Sequence, residues 1–383
     1  MSGEDEAVLT VRGNDFKDWE SVWVQVRRAE PWALFRFTAA ERDTMPSNWT
    51  KLQFKPGDPC DITLGGEQAI KGVITTRQTA YEGSSHSVML LGKSLTTFAA
   101  KSSIDSKTGA FDGMTFEQVA RKVLAPFPSG IKVIGKLDAT KFEKLQNQPG
   151  ERVWDFLERI ARPRGIVMGS DAEGNMLLIG DHEKEPSAEL VEGVNIVKCQ
   201  CIINDDHTFQ EFAVRAQHAG GDDKSGSDTN ELESDRIKGS AKFYCLNLTT
   251  AEQPVKTKAE CTARAEHEAV WNEGTLIQCT ITTRGWLRPG AGKLWQAGDT
   301  VTVSSPMAML NPAVLAIQTV TFQQDSQGGT LTILDLVIPM YLKVHSSFLI
   351  AGYTPPQNMG PYTLQSIEDA IKGKSNPPAS GQP

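Results

Sequence analysis

Short strands of alternating character, grouped into two separate blocks, constrain this chain most. In the first block, Val22, Val24 and Val26 alternate with Trp23, Gln25 and Arg27, and Phe35, Phe37 and Ala39 with Leu34, Arg36 and Thr38. Stretches at 60–64, 69–75 and 87–92 follow, separated by Lys55-Pro56-Gly57-Asp58-Pro59 and Leu64-Gly65-Gly66-Glu67. A period of two puts one face of each stretch in a core, and strands this short and closely spaced form a barrel or sandwich. The second block repeats the pattern at 276–281, 300–303, 314–322 and 330–337, its last two strands joined by Asp325-Ser326-Gln327-Gly328-Gly329.

Between the blocks the periodicity changes. Residues 114–124 read as an amphipathic helix stopped by Pro126-Phe127-Pro128. The stretch Gln148 to Ile166 reads as a short capped helix with Val153, Trp154, Leu157, Ile160 and Ala161 on its apolar face. Glu151 and Asp155 lie near its start and Arg159, Arg162 and Arg164 near its end, as the helix dipole favours; Gly165 supplies the closing turn. A hairpin over 166–179 completes a small α+β unit.

The fold class expected is mainly β with α+β inserts: two tube-like β-barrel domains plus a small α+β domain. The boundaries expected are 1–98 for the first barrel and 99–190 for the α+β domain. A return segment, 191–250, would complete the first barrel and carry a mobile acidic loop at 220–235. A linking helix (about 256–272, ended by Gly274) and the second barrel occupy 251–345. The tail 346–383 has one helical pattern, Thr363 to Ile371, and a disordered end.

Composition narrows the function. A net charge of −8 over 383 residues argues against a basic nucleic-acid surface, while leaving room for a negative wall past which DNA slides. No run approaches the roughly 20 apolar residues that span a bilayer, and the start lacks a signal-peptide pattern. The cysteines, Cys60, Cys199, Cys201, Cys245, Cys261 and Cys279, form no CxxC pair and read as free, buried thiols. Cys199 and Cys201 share a strand face, read as core in preference to a metal site. An acidic calcium loop within 220–235 fits no EF-hand spacing.

No catalytic, cofactor-binding or metal-binding residue is assigned, and no enzyme is expected. The six histidines are scattered, His267 reading as a surface residue of a polar helix. Ser84-Ser85-His86 sits in an expected hairpin loop without an acidic partner. Glu151, Asp155 and Glu158 share helical spacing and could form a glycosidase pair, but dipole matching and a solvated face account for them. Trp286 and Trp295 read as barrel-closing aromatics.

The order of motifs resembles the baseplate hub family of contractile-tailed, Mu-like phages, also called the late control protein D or phage tail protein family, and the N-terminal part of type VI secretion spike proteins. Three blocks carry the likeness: Pro56 to Cys60 with Gly72-Val73-Ile74 and Ser85 to Val88; Gly150 to Gly180; and Thr283 to Trp286 with Gly292 to Trp295, the strands to Phe322, and Gly328 to Pro339. Arg162-Pro163-Arg164 departs from the family's helix end. The resemblance implies a homotrimer whose six β units match a hexameric tail tube on one side and a trimeric central spike on the other. It implies neighbouring baseplate proteins as partners, DNA passing without specific binding, no membrane insertion, and a place in the virion tail after assembly in the bacterial cytoplasm. The alternatives are a type VI or tailocin spike base and, less favoured, a tail-associated glycan hydrolase.

Overall fold

The computed structural model describes residues 5–41, 54–82, 85–105, 110–217, 231–251 and 257–345. The first block forms β1 (Ala7–Val11), β2 (Asn14–Phe16), β3 (Ser21–Arg27), β4 (Leu34–Glu41), β5 (Pro59–Leu64), β6 (Glu67–Glu82) and β7 (Ser85–Ser94). The expected alternation is realised: β1 buries Ala7, Leu9 and Val11 and turns Val8 and Thr10 outward. Strand β6 runs 16 residues, well past the stretch expected at 69–75. Ser85 and His86 open β7, correcting their assignment to the loop.

The small domain contains α1 (Thr97–Lys101), α2 (Phe116–Leu124), β8 (Ile131–Ile134), α3 (Val153–Ala161), β9 (Val167–Ser170) and β10 (Met176–Ile179). Helix α2 starts with a capping box, in which Thr115 and Gln118 satisfy each other's backbone N–H. Helix α3 lacks a side-chain cap, because Arg152 occupies that position. Its Val153 N–H donates instead to Ser102 O at 2.9 Å, tying the helix start to the end of α1. Gly165 adopts φ 60° and closes the Arg162–Arg164 turn as expected. The apolar face needs one correction. Phe156 is buried against Phe111, with ring centroids 5.2 Å apart, whereas Trp154 is only half-buried at the rim of that core.

The remaining elements are β11 (His182–Glu183), β12 (Pro186–Val191), β13 (Lys198–Ile203), β14 (Glu211–Gln217), β15 (Glu231–Glu233), β16 (Ile237–Lys238), β17 (Leu246–Thr250), α4 (Lys258–Glu273), β18 (Ile277–Arg284), β19 (Thr300–Ser305), β20 (Leu310–Asp325), β21 (Gly329–Val337) and β22 (Val344–His345). Gly274 ends α4 in right-handed geometry; glycine is needed there because a Cβ would lie 2.6 Å from the Tyr341 Cβ.

Both β blocks belong to one 13-stranded sheet, with a shared core from Leu9 and Phe37 to Trp286, Trp295 and Phe322. The fold class read from the sequence holds. The return segment is corrected. Strand β13 pairs with β18 of the second block rather than closing the first, and β12, expected in the α+β domain, pairs in parallel with β19. Strands β14 to β17 form a separate four-stranded sheet under α4. Glu231–Glu233, expected within the loop, is a strand on β14; 218–230 and the helical pattern 363–371 lie outside the described residues. Strand β13 also starts later than Asn195, whose side chain accepts from Val191 N–H and donates to Glu189 O to close a turn.

Candidate assembly edges

The two blocks are copies of one design. The first runs β3-β4-β7-β6-β5-β1 across the sheet, and the second β13-β18-β21-β20-β19-β12. Each holds one 16-residue strand, β6 or β20, bulged at the same place: between Ile74 and Thr76 against β7, and between Ile317 and Thr319 against β21. In each copy a Gly-Asp turn, Gly57-Asp58 before β5 or Gly298-Asp299 before β19, bonds to the long strand. Gly57 N–H donates to Ile74 O (2.8 Å) and Ile74 N–H to Asp58 O (3.0 Å); Gly298 N–H donates to Ile317 O (2.7 Å) and Ile317 N–H to Asp299 O (2.8 Å). The copies differ at their far edge, where β1 meets β5 antiparallel but β12 meets β19 parallel.

The copies meet edge to edge. Beyond β19, the outer half of β20 takes β3 of the first block as an antiparallel neighbour, from Thr319↔Arg27 to Asp325↔Ser21. Gln25 Nε2 donates to Thr321 Oγ1 (3.0 Å) across this junction, and Arg28 N–H donates to Gln318 O (2.9 Å). The Arg28 guanidinium is buried over Gly298; burial pulls it down to about 10, and the Asp299 charge works the other way. Asp299 is itself held by Lys184 and by Arg288 (3.0 Å). Its counterpart Asp58 accepts from Lys55 N–H (2.8 Å) and from Arg12 (2.6 Å), which keep its carboxyl below the usual range.

Two of the three carboxylates singled out in the sequence, Glu151 and Glu158, are engaged in ion pairs. Glu151 takes two bonds from Arg159 (2.6 and 2.9 Å) and one from Gln148 N–H (2.8 Å); Glu158 pairs with Arg162 (2.8 Å); Asp155 is exposed. His267 corrects the surface reading. It is half-buried in a groove between α3 and α4 with Trp154, Arg264 and Trp271. Burial, then the charges of Lys343, Arg264 and Arg162, push it down to about 3, so it stays neutral. Of the cysteines, Cys60, Cys261 and Cys279 are buried, Cys199 and Cys201 half-buried and Cys245 exposed, so burial of all six is also corrected. Cys199 Sγ lies 3.6 Å from Cys279 Sγ. Among the described residues no cluster of His, Cys, Asp and Glu is placed to hold a metal ion. The sequence reading missed the Gly-Asp repeat, although both dipeptides precede a strand at the same offset.

The chain thus holds two copies of one β design, joined edge to edge, with a small α+β insert. Residues 6–94 match the N-terminal domain model of the Mu phage baseplate assembly protein GpP-like family, and residues 98–180 the second-domain model of the gp44-like baseplate hub proteins. Baseplate hub protein gp44 of Escherichia phage Mu is 24% identical over 283 residues, 72% of this chain and 74% of its own. The prophage MuSo2 43 kDa tail protein from Shewanella oneidensis superposes with a TM-score of 0.75 at 22% identity, covering 89% of this chain and all of that one. The E. coli c3393 protein, a type VI secretion component, superposes at 0.53 with 12% identity over 94% of this chain and 80% of that one. The chain is similar in sequence to a Mu baseplate hub protein over 72% of its length, and its fold is shared with a type VI secretion component.

Proposed function

We propose that the chain is a structural baseplate hub of a contractile phage tail. Three copies close a ring of six β units; one face of the ring matches a hexameric tail tube and the other carries a trimeric spike, with a channel for DNA between. The observation that carries this reading is the repeat of one β design within the chain, joined edge to edge through β3 and β20. Two units per chain let a threefold object present six similar surfaces. The net charge of −8 suits a channel wall that does not retain phosphates. Pairing of Glu151 and Glu158 with arginines favours a structural role over glycan hydrolysis.

Likeness to the type VI component favours a second reading, the same ring at the base of a secretion or tailocin spike. Imaging particles that carry a labelled copy of the chain tests the proposal. A single labelled ring where tube meets spike is the expected result. Label along the whole tube, or absent from particles, contradicts it, and a ring at the base of a particle without a capsid favours the second reading.

A further inference from the structure

The in-chain junction uses two edges, an end strand (β3) and the outer half of a long strand (β20). Each edge has a second copy in this molecule. Strand β13 is the end strand of the second block and carries no further strand beyond it among the described residues. Strand β6 supplies the other long edge: β5 accompanies it only up to Pro59↔Val73, and beyond Ile74 no strand among the described residues lies on that side. The burial contrast is consistent. Thr319, Thr321 and Phe322, covered by β3, are buried, whereas their counterparts Thr76, Gln78 and Thr79 are exposed. On β3, Val22 and Val24 are buried, whereas β13 alternates between half-buried and exposed, with Ile202 49% exposed. Large apolar side chains are left in water at both edges: Tyr81 is 81% exposed on β6, and Val194 and Val197 are 79% and 51% exposed just before β13.

Seven inter-strand steps separate β13 from β6 in the sheet order, roughly 33 Å along its surface, so the two edges do not meet within one chain. They are different surfaces, so each pairing leaves the same two edges at the ends of the assembly until a ring closes. Strand addition also satisfies the backbone groups of both edges.

We infer that β13 of one copy pairs antiparallel with the outer half of β6 in the next copy, in the register that β3 takes on β20. The shared bulge fixes that register. Thr76 corresponds to Thr319, and Val22 and Val24 correspond to Cys199 and Cys201 through their partners on β4 and β18. Gln78 therefore faces Ile202 of the neighbour, Thr79 faces Cys201 and Ala80 faces Gln200. The pairing rests on the ring reading above and specifies which strands close the ring.

Cysteine cross-linking of the full chain tests it, in a background with exposed Cys245 replaced by Ser. Gln78→Cys with Ile202→Cys sets the two thiols directly opposite, within disulfide reach for an antiparallel pair. Gln25→Cys with Thr321→Cys, the corresponding in-chain pair, is the positive control. Gln78→Cys with Gln200→Cys lies on the same face two residues out of register. Mild oxidation is expected to convert most of the in-register variant into a thiol-sensitive band of three chains, with roughly tenfold less from the out-of-register variant. Equal cross-linking of both, or none in either while a trimer persists in solution, overturns the pairing but leaves the ring. A monomer in solution overturns the ring reading, and the pairing with it.

Discussion

Ile74 and Ile317 occupy the same place in two copies of one design, each bonded through both its N–H and its carbonyl to a Gly-Asp turn. The two turns differ in what surrounds the glycine, and this allows a comparison. Gly57 (φ 98°) and Gly298 (φ 90°) both adopt a backbone that L residues avoid. A Cβ on Gly57 meets open space, but on Gly298 it would lie 2.4 Å from Arg28 Nε. Gly57→Ala should therefore cost about 1–2 kcal/mol, the backbone penalty alone. Gly298→Ala should cost at least about 1 kcal/mol more by displacing a buried guanidinium at the junction of the two units. Urea unfolding of the two variants measures the difference, and equal losses would contradict the placement of Arg28.

Glu151 joins the turn before α3 to Arg159 on its last turn, and its side chain is only 9% exposed. Glu151→Gln should destabilise the protein by about 1–3 kcal/mol, because Arg159 loses a charged acceptor in a partly dry site. A Glu151→Gln, Asp155→Asn, Glu158→Gln triple variant should match the parent when purified cell wall is digested. Cleavage by the parent that the triple variant lacks would support the hydrolase reading.

The corrected face of α3 separates two aromatics. Phe156 is fully buried against Phe111, so Phe156→Ala should cost about 3–5 kcal/mol. Trp154 is half-buried in the groove toward α4, and Trp154→Ala should cost about 1–2 kcal/mol. Thermal unfolding ranks them; the reverse order would restore the face expected from the sequence.

Two groups on α4 give opposite pH dependences. Glu273 is buried and accepts from Ser240 N–H at 2.6 Å; burial raises it from 4.5 to about 7. The folded state therefore binds its proton more tightly than the unfolded chain. Its contribution is fully present below about pH 4.5 and is lost as pH rises through about 7. His267, lowered from 6.5 to about 3, contributes above about pH 6.5 and loses that contribution as pH falls toward 3. Stability measured across this range should lose its fall toward neutral pH in Glu273→Gln and its fall toward acid in His267→Asn. Parallel curves for parent and variants would contradict both assignments.

The sequence made the two β units legible because their strands face water on one side, which imposes a period of two on residues such as Val22, Val24, Phe35 and Phe37. It did not show the full length of β6, because Thr75 to Tyr81 carry no in-chain strand on one side and so little alternation. Strand β12 escaped notice because its partner β19 lies more than a hundred residues away and its first residue is proline. His267 looked like a surface residue among charged neighbours, yet α4 is covered by β14 on one side and the Arg162–Arg164 turn on the other. The proposed assembly edges, β13 and the outer half of β6, were the least legible part, because among the described residues no strand of this chain covers them.

The proposed hub closes as a threefold ring of six β units. Native mass measurement of the purified full-length protein tests it most directly. The expected result is a species of three times the 41.8 kDa chain mass that persists on dilution into the nanomolar range. A chain that stays at 41.8 kDa up to tens of micromolar would contradict the claim.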